Sequence, residues 1–505
     1  MNKRQLFTTG RMCSMTAVAC GVLFLGSCAQ DGFDDDEVFE TSVRNTQVES
    51  PSTDQISIKQ NSSGTEQIIS WPVVLGAGGF ECKVVDESDA TNPETIFEQV
   101  VDGCTFRAKR EDDAKYRIYI RALGNKSYNN TDAASTTEVA YNTIVEPYKV
   151  IPSGTDLAVF FKSEEIPENT INETTKELVA IAYNLEAGGK YTMSDTVSFG
   201  NRKILLYSTK AGADIQLTGE KAMFQIQNGF TLRNLRIDCA ESTALGLVIC
   251  SNTPDESVPL NESKYTEADT KGSYLISEPV EVKNCMIKDL KKALIATGED
   301  KGWVMDVLTI MNNIIQMDNE KDYFLNFYGS GSTARNSAFK VLLMQNNTIY
   351  NLQVNSTQFA IRYGNASNAI KLFGTNKNPE AGRFKWEIMN NTLVGVFTNK
   401  DFGNNIPNNP CVTNIMTDNI FFNVYRLQKF IQAQQNRTCY NNYIWSDGTT
   451  TIDGTDKKDY CKELDPGFVA PTTSLDLTQP NGGLDLKPSG EVFTSGAGDS
   501  RWLKE

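Results

Sequence analysis

The chain has 505 residues, 40% hydrophobic and 22% charged, with a formal charge of −15 and no histidine. That length allows two or three domains, and the composition excludes wholesale disorder. Without histidine there is no imidazole base, no Ser-His or Cys-His nucleophile and no imidazole-ligated zinc, while the acidic balance argues against nucleic acid as a partner.

Lys3, Arg4 and Arg11 precede an apolar run over 15–25 and the small residues Gly26 and Ser27. A basic start, a short apolar run and small residues before a cleavage point describe a secretory signal over 1–27. The run is shorter than the roughly 20 residues a spanning helix needs. Removing its three basic residues takes the charge from −15 to −18. Leu25-Gly26-Ser27-Cys28 resembles a bacterial lipobox, which implies acylation of Cys28 and a lipid anchor in the outer membrane. The acids that follow, Asp31 and Asp34 to Glu37, resemble the export signal that sends Bacteroidetes lipoproteins to the cell exterior. Residues 28–50 read as an acidic and polar tether.

Residues 51–147 carry short β-rich runs: 67–71, 80–85 and a cleanly alternating 115–122 with Tyr116, Ile118 and Ile120 on one face. An early strand bearing Trp71 and a late Tyr-x-Ile-x-Ile-x-Ala strand resemble a fibronectin type III module, so this segment is expected to be a β-sandwich that acts as a spacer or binding surface. Eight of the eleven cysteines lie beyond residue 28. They allow 105 complete pairings, and Cys82 with Cys104, both in this segment, is the pairing chosen, with Cys439 and Cys461 as a second candidate.

From residue 150 the texture changes. A short unit recurs with an aligned polar residue at Asn234, Asn284, Asn312, Asn346, Asn390, Asp418 and Asn441. The intervals of 23 to 50 residues suit coils of roughly 20–30 residues, with those of 44 and 50 fitting either two coils or one coil with a long loop. A parallel β-helix follows, in which the aligned amides donate from coil to coil as a ladder and the flanking Ile, Leu and Val residues stack as core. These asparagines are expected to be structural. The regular Leu-x-x-Leu-x-Leu frame of leucine-rich repeats is missing.

The whole is therefore all-β, an N-terminal sandwich followed by a right-handed parallel β-helix. The solenoid has a first part over 150–364 and a C-terminal part over 365–505. Residues 150–503 resemble the pectate-lyase-like β-helix proteins of gut Bacteroidetes, in two adjoining uncharacterised domain families; the resemblance includes Asp465-Pro466-Gly467-Phe468 and the ending Gly496-x-Gly498-Asp499-x-Arg501-Trp502. That ending reads as a C-terminal cap in which Trp502 covers the last coil and Arg501 pairs with Asp499. The resemblance implies an acidic, pectin-type polysaccharide as partner, together with other glycan-uptake proteins at the outer membrane.

Two chemistries compete. A polysaccharide lyase needs a cation to neutralise the uronate carboxylate and a base to remove the adjacent proton; Arg or Lys serves as base in β-helix lyases. Arg362, Lys292 and Lys291 are the candidates here, beside Lys288 and a cluster at Lys371, Arg383 and Lys385. The lack of histidine argues against hydrolysis of the polygalacturonase kind, whose Gly-His-Gly motif cannot exist here. A binding protein needs instead rings that stack on sugar faces, and Tyr323 and Tyr363, with Arg362 for charge, are the expected glycan-binding residues. Calcium has its best candidate ligands at Asp318, Glu320 and Asp322, alternating acids on one loop. Binding without cleavage is the leading reading, a lyase the alternative, and an adhesive or structural surface protein the third.

Overall fold

The computed structural model describes residues 43–61, 65–172, 177–261, 273–319, 321–329, 336–353, 359–365, 384–407, 412–427, 430–431 and 436–504. Cys28, the acidic run, Glu320, Lys371, Arg383 and Cys411 lie outside them. The chain divides after Ile144 into two units.

In the first unit, alternation makes the strands and burial of one face pairs them. β1 (Ser57–Gln60), β2 (Glu66–Ser70) and β5 (Thr105–Lys109) form one antiparallel sheet. β3 (Ala77–Asp86), β4 (Glu94–Val101), β6 (Lys115–Gly124) and β7 (Thr137–Asn142) form the other, in the order β4-β3-β6-β7. Every second residue of β6 is buried, so Tyr116, Ile118 and Ile120 face inward as the pattern predicts. They meet Trp71, whose ring lies 4.9 Å from Phe80 and 5.9 Å from Phe106. The sandwich is closed by hydrophobic packing. Cys82 and Cys104 are free thiols, as are all seven described cysteines. Cys82 is buried on β3 in the four-stranded sheet, and Cys104 precedes β5 in the other. Sharing a domain does not bring two sulfurs together, and burial pushes the Cys82 thiol up to about 12.

In the second unit successive turns of chain build three parallel sheets, of eleven, ten and seven strands among the described residues. The inward columns are continuous. Leu206, Leu232, Val282, Ile310, Met344, Ile388 and Met416 stack in the first sheet. Ile215, Ile237, Ile287, Ile315, Ile349, Leu393, Phe421 and Ile444 stack in the second. Val197, Phe224, Val248, Ile295, Leu325, Ile361 and Gly403 stack in the third. Gly403 ends that column, and a Cβ there would come within 2.8 Å of Phe430. Before the coils, α1 (Leu157–Ser163) starts at Asp156, which accepts from the Val159 N–H at 3.1 Å. It buries Phe161 against Tyr183 and Phe199.

The polar repeat sits at the corner between first and second sheets, and its ladder runs one residue later than the sequence pattern indicates. Asn234, Asn284, Asn312, Asn346, Asn390, Asp418 and Asn441 all hold φ between 51° and 59°. Asn and Asp tolerate this left-handed conformation better than other side chains. The ladder itself is formed by Asn313, Asn347, Asn391, Asn419 and Asn442, each at most 2% exposed. Each amide donates to the next, at 3.0, 2.9, 3.0 and 2.9 Å. Each acceptor oxygen also takes the backbone N–H of the preceding coil.

The tail does not place Trp502 over the last coil as expected, because that ring sits on Thr348 in the middle of the second sheet. It runs back along the outer face of the second sheet, where Phe468, Leu475, Leu486, Val492 and Trp502 pack on Tyr350, Val394, Ile420 and Phe422. Its ending is a clasp. Asp499 takes the Thr348 hydroxyl at 2.8 Å and pairs with Arg501 at 2.6 Å, as expected. Trp502 donates to Thr348, 2.7 Å away. The corner amides hold the strap, with Ser500 N–H on Asn346 Oδ1 at 2.6 Å. Burial outweighs the pairing with Arg501 and holds the Asp499 carboxyl above its ordinary value.

Candidate functional site

The tail covers the outer face of the second sheet, and the cluster best suited to a ligand lies on the third. There the register aligns Asn326, Arg362 and Asn404 on three successive coils. Ile361 and Tyr363 point inward, 1% and 0% exposed, so alternation sends Arg362 outward, where it is half-buried. Its guanidinium carbon sits 4.6 Å from the Tyr328 ring centre, 5.5 Å from Tyr323 and 5.6 Å from Phe359. One terminal nitrogen donates to Asn404 Oδ1. Nε is buried without an acceptor, and among the described residues no carboxylate pairs with this cation. An arginine among strand residues is expected to meet an acid. This one meets rings and amides instead.

The loop entering the third sheet is held from within. Asn319 Oδ1 accepts the N–H groups of Lys321 and Asp322 at 3.0 and 2.8 Å. Asn351 of the next coil donates to the Asn319 carbonyl at 2.8 Å. This fixes Asp322 and, beside it, half-buried Tyr323, whose ring is 5.8 Å from Phe359.

The remaining candidates divide. Lys292 is tied to Asp322 at 2.5 Å, next in the chain to Tyr323, so it belongs to the same neighbourhood as one half of an ion pair. Lys291 donates to the Ala240 carbonyl. Lys288 pairs with Asp238 and Asp289, and Lys385 with Glu387. Neither Lys291 nor Lys292 offers a free amine as a base. Tyr363 is corrected outright: it is core, with its hydroxyl on the Phe339 carbonyl at 3.1 Å and its pKa raised well above the ordinary value by burial. The calcium loop fares no better. Asp318 accepts from Gln353 at 2.5 Å and Asp322 holds Lys292, so both carboxylates serve the fold. Among the described residues no three acids or thiols cluster as metal ligands would.

The sequence does not show Tyr328, Phe359 and Asn404 as neighbours of Arg362. Only the coil register reveals them.

The register and columns define the second unit as a parallel β-helix. Residues 1–188 match a family described as a domain of unknown function, DUF4992, and residues 189–352 match a second such family, DUF4957. Among solved structures, the chain is similar to a pectate lyase from Erwinia chrysanthemi in complex with tetragalacturonic acid. That match has 10% identity and a TM-score of 0.14, covering 60% of this chain and 85% of that one. A pectate lyase from Pectobacterium carotovorum gives 10% identity and a TM-score of 0.13, covering 58% and 85%. The search of the curated proteins found no match. The β-helix assignment stands on the chain's own strand register.

Proposed function

We propose that the protein binds a carboxylate-bearing polysaccharide along the outer face of the third sheet. Arg362 anchors the charge, and Tyr323 and Tyr328 offer rings to sugar faces. The observation that carries this reading is the Arg362 guanidinium, packed among three rings and paired with no acid among the described residues. A half-buried cation without a counter-ion favours an anion from solution. Enclosed by rings and bonded to Asn404, the guanidinium is placed to hold a carboxylate, which favours binding over the lyase.

Affinity electrophoresis in gels loaded with polygalacturonate or with neutral galactan tests this. Wild type should be retarded by polygalacturonate, and Arg362→Gln should bind it about ten-fold more weakly, a loss of about 1.4 kcal/mol. Mobility in galactan should not depend on residue 362. Ultraviolet absorbance from an unsaturated product would instead make the protein a lyase, and retention by neither glycan would favour the adhesive reading.

The same proposal places the protein on the outer membrane, held by lipid on Cys28, with the sandwich as a spacer of fibronectin type III kind. Among the described residues no helix is long and apolar enough to cross a membrane. Cys28→Ala should move the protein from the membrane fraction to the soluble one, or leave an uncleaved precursor. A processed variant that sediments with membranes as wild type does would remove the anchor.

A further inference from the structure

We infer that the sandwich is itself a sugar-binding unit, with a site for a neutral oligosaccharide on the outer face of its four-stranded sheet. A groove of about 560 Å³ lies there, lined by Glu81, Lys83, Glu98, Val100, Tyr119 and Arg121 among others. Its size is within the range of small-ligand pockets. The register sets Lys83 between Glu98 and Tyr119, and Glu81 between Val100 and Arg121, so two crossing rows of side chains form the floor.

The charges balance. Arg121 pairs with Glu81 at 3.3 Å and Lys83 with Glu98 at 3.7 Å, leaving no net charge on the lining in a strongly acidic chain. Arg121 is also fixed from behind by its Nε bond to the Ala133 carbonyl at 3.0 Å. Exposed ion pairs contribute little to stability. What they provide is a set of donors and acceptors of both signs on one face, with Arg121 held by its second bond. A neutral polyol can use both signs at once, whereas a polyanion would meet Glu81 and Glu98. Tyr119 supplies a half-buried ring beside Lys83, and Val100, 59% exposed, gives an apolar rim. Ring, apolar rim and neutral polar lining together match a sugar's CH face and hydroxyl edge.

This site is separate from Arg362, and its test can fail independently. Titration calorimetry on the full chain would use cellopentaose, mannopentaose, β-1,4-galactopentaose and pentagalacturonate as probes. At least one neutral pentaose should bind wild type. Tyr119→Ala should weaken it ten-fold or more, Arg121→Gln should weaken it measurably, and Arg362→Gln should leave it unchanged. Circular dichroism and the thermal midpoint would confirm that each variant is folded. No neutral pentaose binding, binding indifferent to Tyr119→Ala, or binding lost with Arg362→Gln would each overturn the assignment.

Discussion

Replacing Asn391 by Leu should destabilise the β-helix by about 3–5 kcal/mol, because one side chain serves several buried groups. Asn391 is fully buried. Its amide donates to the Met344 and Met389 carbonyls and to Asn419, at 2.9, 3.0 and 3.0 Å. Its oxygen accepts the Asn347 N–H at 3.1 Å and the Asn347 amide at 2.9 Å. Leucine leaves the Asn347 N–H without its acceptor in the dry interior and breaks the ladder in the middle. Its neighbour behaves differently. Asn390 occupies φ 54°, which glycine adopts freely, so Asn390→Gly should cost under about 1 kcal/mol. Urea unfolding of the two variants separates the roles: equal midpoints would contradict the division between corner and ladder.

Trp502→Ala should loosen the C-terminal strap and cost about 3–5 kcal/mol, the range for emptying a buried tryptophan site. The ring is 5% exposed and its N–H is held by Thr348, so the substitution removes packing and a bond together. The loss should be local at first. Hydrogen exchange over 464–504 should rise well above wild type while the inward columns stay protected. Gly498 reports on the same clasp: at φ 94°, a Cβ there would lie 2.7 Å from Ile420 and 2.9 Å from Thr392. An unchanged exchange pattern in Trp502→Ala would show that the strap is held elsewhere.

Much of this architecture is readable from sequence, because strands and coils declare themselves by period. Tyr116, Ile118 and Ile120 alternate and face inward, and the recurrent polar corner marks successive coils. The Asn-Asn doublets are harder: both residues carry the same amide, and only geometry separates the one in the left-handed turn from the one pointing inward. Tyr363 fails for a simpler reason. It follows Arg362 in a strand, so if the arginine faces solvent the tyrosine must face the core. The cage around Arg362 was illegible because Tyr328 and Asn404 belong to neighbouring coils, and loop lengths hide the register. Ion pairs such as Lys292 with Asp322 are hidden in the same way.

If Arg362 anchors the polymer, a crystal structure with bound hexagalacturonate should show the oligosaccharide on the third sheet, with one carboxylate within hydrogen-bond distance of the Arg362 guanidinium and a sugar ring against Tyr323 or Tyr328. An oligosaccharide seated on another face, with Arg362 still enclosed by its rings and Asn404, would contradict it.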